Sequence, residues 1–215
     1  MPLSVSEIMS SATPEGPSIC PLGERYQRYW DKLSSSERRM NIDVEGLYSM
    51  DLQEVVLQLA KRVEAERIVD AFCGVGGAAI AFARGGKFVE AIEIDSGRLE
   101  MARHNALLFS VEGRICFRQG DAMDLLQSTE AAVYLDPPWG GPSYGRLEQF
   151  SLKCFVPDGE ELLRKALSAS REVILKLPKN FDFSELGPIR EPTEIISNEL
   201  AGRLEYYTAI FKHKH

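Results

Sequence analysis

The sequence predicts an α/β fold: a doubly wound, mostly parallel seven-stranded sheet with an antiparallel edge hairpin strand and a small N-terminal helical extension. Three observations predict it. From Arg67 onward, short apolar runs alternate with amphipathic stretches, the pattern of parallel strands joined by helices. The first run ends in a glycine-rich loop, Cys73-Gly74-Val75-Gly76-Gly77, that opens a small-residue helix. A later run, Ala131 to Leu135, ends in Asp136-Pro137-Pro138-Trp139-Gly140-Gly141-Pro142.

Taken in order, residues 1–23 hold Ser, Pro and Gly with little apolar periodicity and read as a flexible tail. Residues 24–50 carry Tyr26, Tyr29, Trp30, Leu33, Met40, Ile42, Leu47 and Tyr48 among charges, too aromatic for a linker. They are expected to form short helices that pack on the core as a substrate-binding appendage. Residues 51–215 are expected to form the core domain. Leu52, Val55, Val56, Leu59 and Val63 mark one face of a helix, with Asp51 as its N-cap. Strands are expected at Arg67–Phe72, Phe88–Ile94, Ile115–Arg118, Ala131–Leu135 and Glu172–Leu177. Helices are expected at Gly76–Ala83, stopped by Gly85-Gly86, at Ser96–Phe109 and at Asp158–Ser170. Two more strands, near Glu194–Ile196 and Glu205–Lys212, flank a break at Asn198–Gly202.

Composition narrows the function classes. The 215 residues suit one core domain with a modest appendage. With 44% hydrophobic and 27% charged residues, the chain is an ordinary globular one. No apolar stretch approaches the roughly 20 residues that cross a bilayer, and no signal peptide is evident. Cys20, Cys73, Cys116 and Cys154 are widely spaced and do not combine with His104, His213 or His215 at ligand spacing. A reduced, intracellular, metal-free monomer is expected. The net charge of −7 argues against a broad grip on duplex nucleic acid. It allows a small anionic substrate met by a local basic cluster: Arg25 and Arg28, Arg38 and Arg39, or Lys176 and Lys179.

The glycine loop is neither the full G-x-G-x-x-G fingerprint nor a P-loop, so it must take something other than a pyrophosphate or triphosphate. Glu93 ends the second strand about 20 residues beyond Gly74, where an acid catches ribose hydroxyls in nucleoside-binding α/β folds. Asp121 follows the third strand, where it can accept from an adenine amine. Each has a plainer alternative: Glu93 as a solvated strand end, Asp121 as the cap of a helix over Ala122–Gln127. Together, at successive strand ends, they describe an adenosine pocket, and the missing pyrophosphate signature favours S-adenosylmethionine over NAD.

The Asp-Pro-Pro-Trp segment suits chemistry on an exocyclic amine. Two prolines stiffen the backbone and fix their carbonyls at a strand's C-terminal edge. A planar base stacked on Trp139 could have its amine held between Asp136 and a proline carbonyl. The plainer reading of Trp139 is a hydrophobic plug, which Gly140-Gly141 argues against by leaving the indole face open. No Cys-His or Ser-His nucleophile is needed, because a sulfonium methyl is already activated.

The strings VDAFCGVGG, DPPWGGP and EGLYS resemble those of trimethylguanosine synthases, over roughly residues 24–211. The resemblance implies a class I S-adenosylmethionine-dependent methyltransferase fold acting on the N2 amine of a 7-methylguanosine RNA cap. It implies a cofactor site of Asp70, Ala71, Phe72, Gly74, Gly76, Glu93, Ile94, Asp121, Ala122 and Asp136, with no metal. It places Trp139, Pro142, Tyr144, Ser49, Arg28, Lys179 and Asn180 on the cap. Trp139 stacks on the base and Ser49 lies near its opposite face; Lys179-Asn180 matches a basic-Asn pair on the cap phosphates. Asp136, Pro137 and Trp139 form the catalytic set, although the family carries Ser where this chain has Asp136. Capped small nuclear or nucleolar RNA, or a free cap nucleotide, is the implied partner, and the nucleus the implied location. Two rivals are an N2-guanine or N6-adenine methyltransferase for internal bases and an idle cap-binding module.

Overall fold

The protein, a computed structural model, is described over residues 19–141 and 146–213. Its strands are β1 (Arg67–Asp70), β2 (Phe88–Glu93), β3 (Ile115–Gln119), β4 (Ala132–Leu135), β5 (Glu172–Pro178), β6 (Glu194–Leu200) and β7 (Arg203–Lys212). Its α-helices are α1 (Gln27–Trp30), α2 (Val44–Ser49), α3 (Gln53–Arg62), α4 (Gly77–Arg84), α5 (Ser96–Leu108), α6 (Ala122–Leu125) and α7 (Gly159–Ala169). One sheet joins the strands in the order β3-β2-β1-β4-β5-β7-β6. The first five run parallel, and β7 is antiparallel to both β5 and β6. The expected doubly wound sheet with an edge hairpin is therefore present.

Strands β4 and β5 are apolar because both faces are covered. Ile68, Tyr134 and Ile174 pack beneath Phe82 of α4 and Val56 and Leu59 of α3. Val69, Val133, Leu135 and Leu175 pack against Leu162 and Leu163 of α7.

Two expected boundaries move for physical reasons. The break at Asn198–Gly202 shrinks to Ala201-Gly202, both at positive φ, because Asn198 donates across the hairpin to Thr208 Oγ1 at 2.8 Å. Asp51 does not cap α3. The helix starts from Leu52 with no side-chain cap bond, and Asp51 is 3% exposed within the core.

The segment over 24–50 does form short helices on the core, but its packing begins earlier than expected. Cys20 is buried with Trp30, Leu33, Ile42 and Leu47 against Val75 of the glycine loop. Cys20 and Leu22, within the tail expected over 1–23, thus pack on the core, and residues 1–18 lie outside the described ones. Buried Asn105 of α5 clamps the appendage: it accepts from Asn41 N–H at 2.7 Å and donates to the carbonyls of Asn41 and Val75 at 2.8 and 2.9 Å. Arg98 of α5 adds ion pairs to Asp43 and Glu45 at either end of the first turn of α2. Gly46 of α2 has no room for a side chain, since a Cβ there would lie 2.8 Å from Val75.

Candidate active site

Strand order reverses between β1 and β4, and the crevice outside their C-terminal ends is where such sheets take ligands. Asp70 ends β1 fully buried, and neither carboxylate oxygen has a hydrogen-bond partner among the described residues. Burial, with the Asp51 and Asp136 carboxylates nearby, pushes its pKa well above the ordinary range, and the Phe72 N–H, close by but outside hydrogen-bond geometry, pulls the other way. The loop beyond turns through Gly74 at φ +52° and Gly76 at φ +94°, and Gly76 is the N-cap of α4. A Cβ on Gly74 would meet nothing within 4 Å, so this backbone faces open space.

Glu93, at the end of β2, is buried and fixed rather than solvated. Its Oε2 accepts from Gly74 N–H and its Oε1 from Asp95 N–H, each at 2.9 Å. Next to it Ile94 is 64% exposed, an aliphatic surface at the strand edge. Asp121 is exposed and caps α6 by accepting from Met123 N–H at 2.8 Å, which leaves its other oxygen for a ligand. Ala71 and Ala122 are buried, and Phe72 is half-buried. An unpaired buried carboxylate, an open glycine backbone, an anchored acid and an exposed aliphatic fit the ammonium, chain, ribose and base of S-adenosylmethionine.

Across the crevice, Asp136 follows β4. Its Oδ2 accepts from Lys176 Nζ at 2.7 Å, and its side chain keeps 16% exposure. Burial pushes the Asp136 carboxyl up, to about 7, against the pull of the Lys176 ammonium and with a push from Asp51. Lys176, in mid-β5, also meets Asp51 Oδ1 at 2.8 Å and the Ser49 carbonyl at 3.0 Å. Burial opposes the Lys176 charge, but Asp136 and Asp51 override it and raise its pKa. Tyr134 donates to Asp51 Oδ2 at 2.7 Å, and the Tyr206 ring lies 4.9 Å from Lys176 Nζ. Burial, then the same carboxylates, pushes both phenols up.

Pro137 is buried and Pro138 exposed, and the Pro138 carbonyl already accepts from Val156 N–H at 3.3 Å. Trp139 is half-buried with Lys176 Nζ 5.3 Å from its ring centre. A Cβ on Gly140 would meet nothing within 4 Å, whereas one on Gly141 would lie 3.2 Å from Tyr48 Oη. The appendage therefore forms one wall of the site.

The profile of a family described as RNA cap guanine-N2 methyltransferase matches residues 65–213. The chain belongs to the RNA cap guanine-N2 methyltransferases. It is 34% identical to trimethylguanosine synthase of Schizosaccharomyces pombe, over 78% of this chain and 77% of that protein. It is 30% identical to trimethylguanosine synthase of Saccharomyces cerevisiae, over 74% of this chain and 54% of that longer protein. A solved structure from Porphyromonas gingivalis W83, described as a methyltransferase, shares the fold at TM-score 0.65 and 17% identity, covering 99% of this chain and 59% of that one.

Within this cap methyltransferase the expected substrate residues divide. Ser49 ends α2 beside the site, its hydroxyl turned to the Glu45 carbonyl at 2.7 Å and its carbonyl to Lys176. Arg28 reaches the appendage wall, stacked 4.6 Å from the Tyr29 ring centre, and Tyr29 in turn lies 6.1 Å from Tyr48. Lys179 is exposed just past β5. Next to it Asn180 donates its amide to the Leu147 carbonyl at 2.9 Å, which ties it to the loop after β4. Pro142 and Tyr144 lie outside the described residues. Lys176 departs furthest, because it is not part of a surface basic pair with Lys179 but is 4% exposed inside an ion cluster. Sequence reasoning missed Asp51, Tyr134, Lys176 and Tyr206 as site residues. One signal was present: a lysine amid the apolar run Val173-Ile174-Leu175-Lys176-Leu177.

Proposed function

We propose that the chain methylates the exocyclic N2 amine of a 7-methylguanosine cap, giving 2,7-dimethylguanosine and then 2,2,7-trimethylguanosine. The observation that carries this reading is the half-buried Trp139 on a rigid Asp-Pro-Pro turn, set across the switch-point crevice from the glycine loop. When bound, S-adenosylmethionine supplies a methyl on a sulfonium, whose C–S bonding pair stays with sulfur as the N–C bond forms. Asp70 would hold its ammonium, Glu93 its ribose, and Ile94 with Asp121 its adenine.

The remaining work is positioning. A 7-methylated guanine is cationic, so it stacks on the indole more strongly than a neutral base, contributing on the order of 1–3 kcal/mol. Asp136 Oδ1 and the Pro137 carbonyl accept from the two N2 protons, which draws the nitrogen lone pair out of the ring. The Pro138 carbonyl is unavailable for this, being bound to Val156. Asp136 then takes the proton that N2 sheds. The carboxyls of Asp51, Asp70 and Asp136 outnumber the one ammonium of Lys176, and a cationic base with a cationic donor would favour their ionised forms. Arg28 and Lys179 would meet the cap phosphates. The enzyme is proposed to act as a monomer in the nucleus, on capped small RNA or free cap nucleotide.

Mass spectrometry of 7-methylguanosine diphosphate incubated with enzyme and S-adenosylmethionine tests the reading. A mass gain of one or two methyl groups, absent with an uncapped guanine-containing oligonucleotide, is expected. Methylation of the oligonucleotide alone would overturn it in favour of an internal-base enzyme.

A further inference from the structure

The mechanism leaves Lys176 unused, although its ammonium lies 2.7 Å from the carboxylate set against N2. An ammonium has three protons to donate. Those of Lys176 go to Asp136 Oδ2 at 2.7 Å and the Ser49 carbonyl at 3.0 Å, and its charge pairs with Asp51 Oδ1 at 2.8 Å. Ringed by these oxygens and 4% exposed, it is held back from substrate and donor. Asp51 is itself held by the Tyr134 hydroxyl from β4. One oxygen of Asp136 is thus pinned by a buried chain of groups, while the side chain stays 16% exposed on its way into the crevice.

We infer that Lys176, backed by Asp51, is a positioning residue for methyl transfer: it pins Asp136 by Oδ2 so that Oδ1 meets the amine, and holds that carboxylate ionised to accept the departing proton. The inference rests on the cap-N2 reading above. The proton passes from N2 to Asp136 Oδ1 and on to water, and Lys176 keeps all of its own. The titratable groups around the ammonium are Asp51 before α3, Asp70 on β1, Tyr134 on β4, Asp136 after β4 and Tyr206 on β7. Without the ammonium, Asp136 would face Asp51 and Asp70 with no counter-charge, and it would ionise only at higher pH.

The test is the pH profile of kcat and KM for 7-methylguanosine diphosphate. Lys176→Met is expected to lower kcat roughly 10- to 100-fold, leave KM within about threefold and move the acid limb of kcat up by about one pH unit or more. Lys176→Arg should restore the limb. Adding Lys176→Met to Asp136→Asn should cost nothing further, because the lysine acts through that carboxylate. Removing one member of a buried ion cluster can unfold a protein, so Asp51→Asn/Lys176→Met, which removes opposite charges together, is measured beside it. It should melt cooperatively, bind S-adenosylmethionine and show the limb displaced in the same direction. An unshifted limb in the folded variants, or a further loss in the Asp136→Asn background, overturns the inference alone. A wild-type enzyme inactive on the cap nucleotide overturns the cap-N2 reading and this inference with it.

Discussion

The glycine-loop side of the crevice is made largely of backbone, whereas the Trp139 side is made of side chains drawn from distant parts of the chain. On the first, Gly74 and Gly76 shape a loop whose N–H is held by Glu93. On the second, Asp136 depends on Lys176, which depends on Asp51, which depends on Tyr134. A loop of glycines and amides gives a surface that many donors' shapes could share. A chain of buried charges fixes one carboxylate in one place, at the cost of desolvating every member. If the proposed function holds, donor recognition should tolerate more change than acceptor recognition.

Four changes sharpen that contrast. Trp139→Ala should have the largest effect, lowering cap methylation by at least about 100-fold while calorimetry finds S-adenosylmethionine affinity unchanged. Asp70→Asn should act on the opposite side. Loss of a charge-assisted hydrogen bond worth about 1.5–3 kcal/mol weakens the donor roughly 10- to 150-fold, with affinity for the cap nucleotide kept.

The third change concerns pH. The Asp136 carboxyl is pushed up from 3.8 to about 7 in the folded protein. Between those values the folded state keeps a proton that the unfolded chain has lost, so this group makes stability fall as pH rises through the window. Activity should rise through the upper part of that window as the carboxylate ionises. Melting temperature and kcat should therefore trend in opposite directions toward neutrality, and Asp136→Asn should flatten both. Parallel trends would break the assignment. The smallest effect is expected from Asn105→Ala, which orphans buried backbone groups at a cost of about 1–3 kcal/mol and lowers Tm by about 2–4 °C for each kcal/mol. It should raise KM for both ligands, since Asn105 ties the appendage to the glycine loop.

The contrast also explains what was legible in the sequence. The donor side lies in short contiguous strings, from Asp70 to Gly77 and at Glu93 and Asp121, and the alternation of strands and helices places these strings at neighbouring strand ends. The Asp-Pro-Pro-Trp turn was legible for the same reason. The ion cluster was not, because its members are 51, 134, 136 and 176, brought together by the β4-β5 pairing and by the packing of the segment before α3 onto the sheet. Asp51 before an amphipathic helix looks like a cap, and a lysine is rarely buried, so local rules pointed each of them to solvent. The bond from the Asn180 amide to the Leu147 carbonyl was not legible either, because it spans a loop that periodicity does not reveal.

Gly46 of the appendage rests directly on Val75 of the glycine loop. A residue with no room for a side chain thus sits where the appendage meets the glycine loop. An engineer who wished to retarget this enzyme by grafting another wall could not exchange residues 24–50 as a free module. The graft would have to bring a glycine at that contact, or a smaller partner for it in place of Val75, and mismatched pairs would report as donor-binding defects rather than as altered substrate choice.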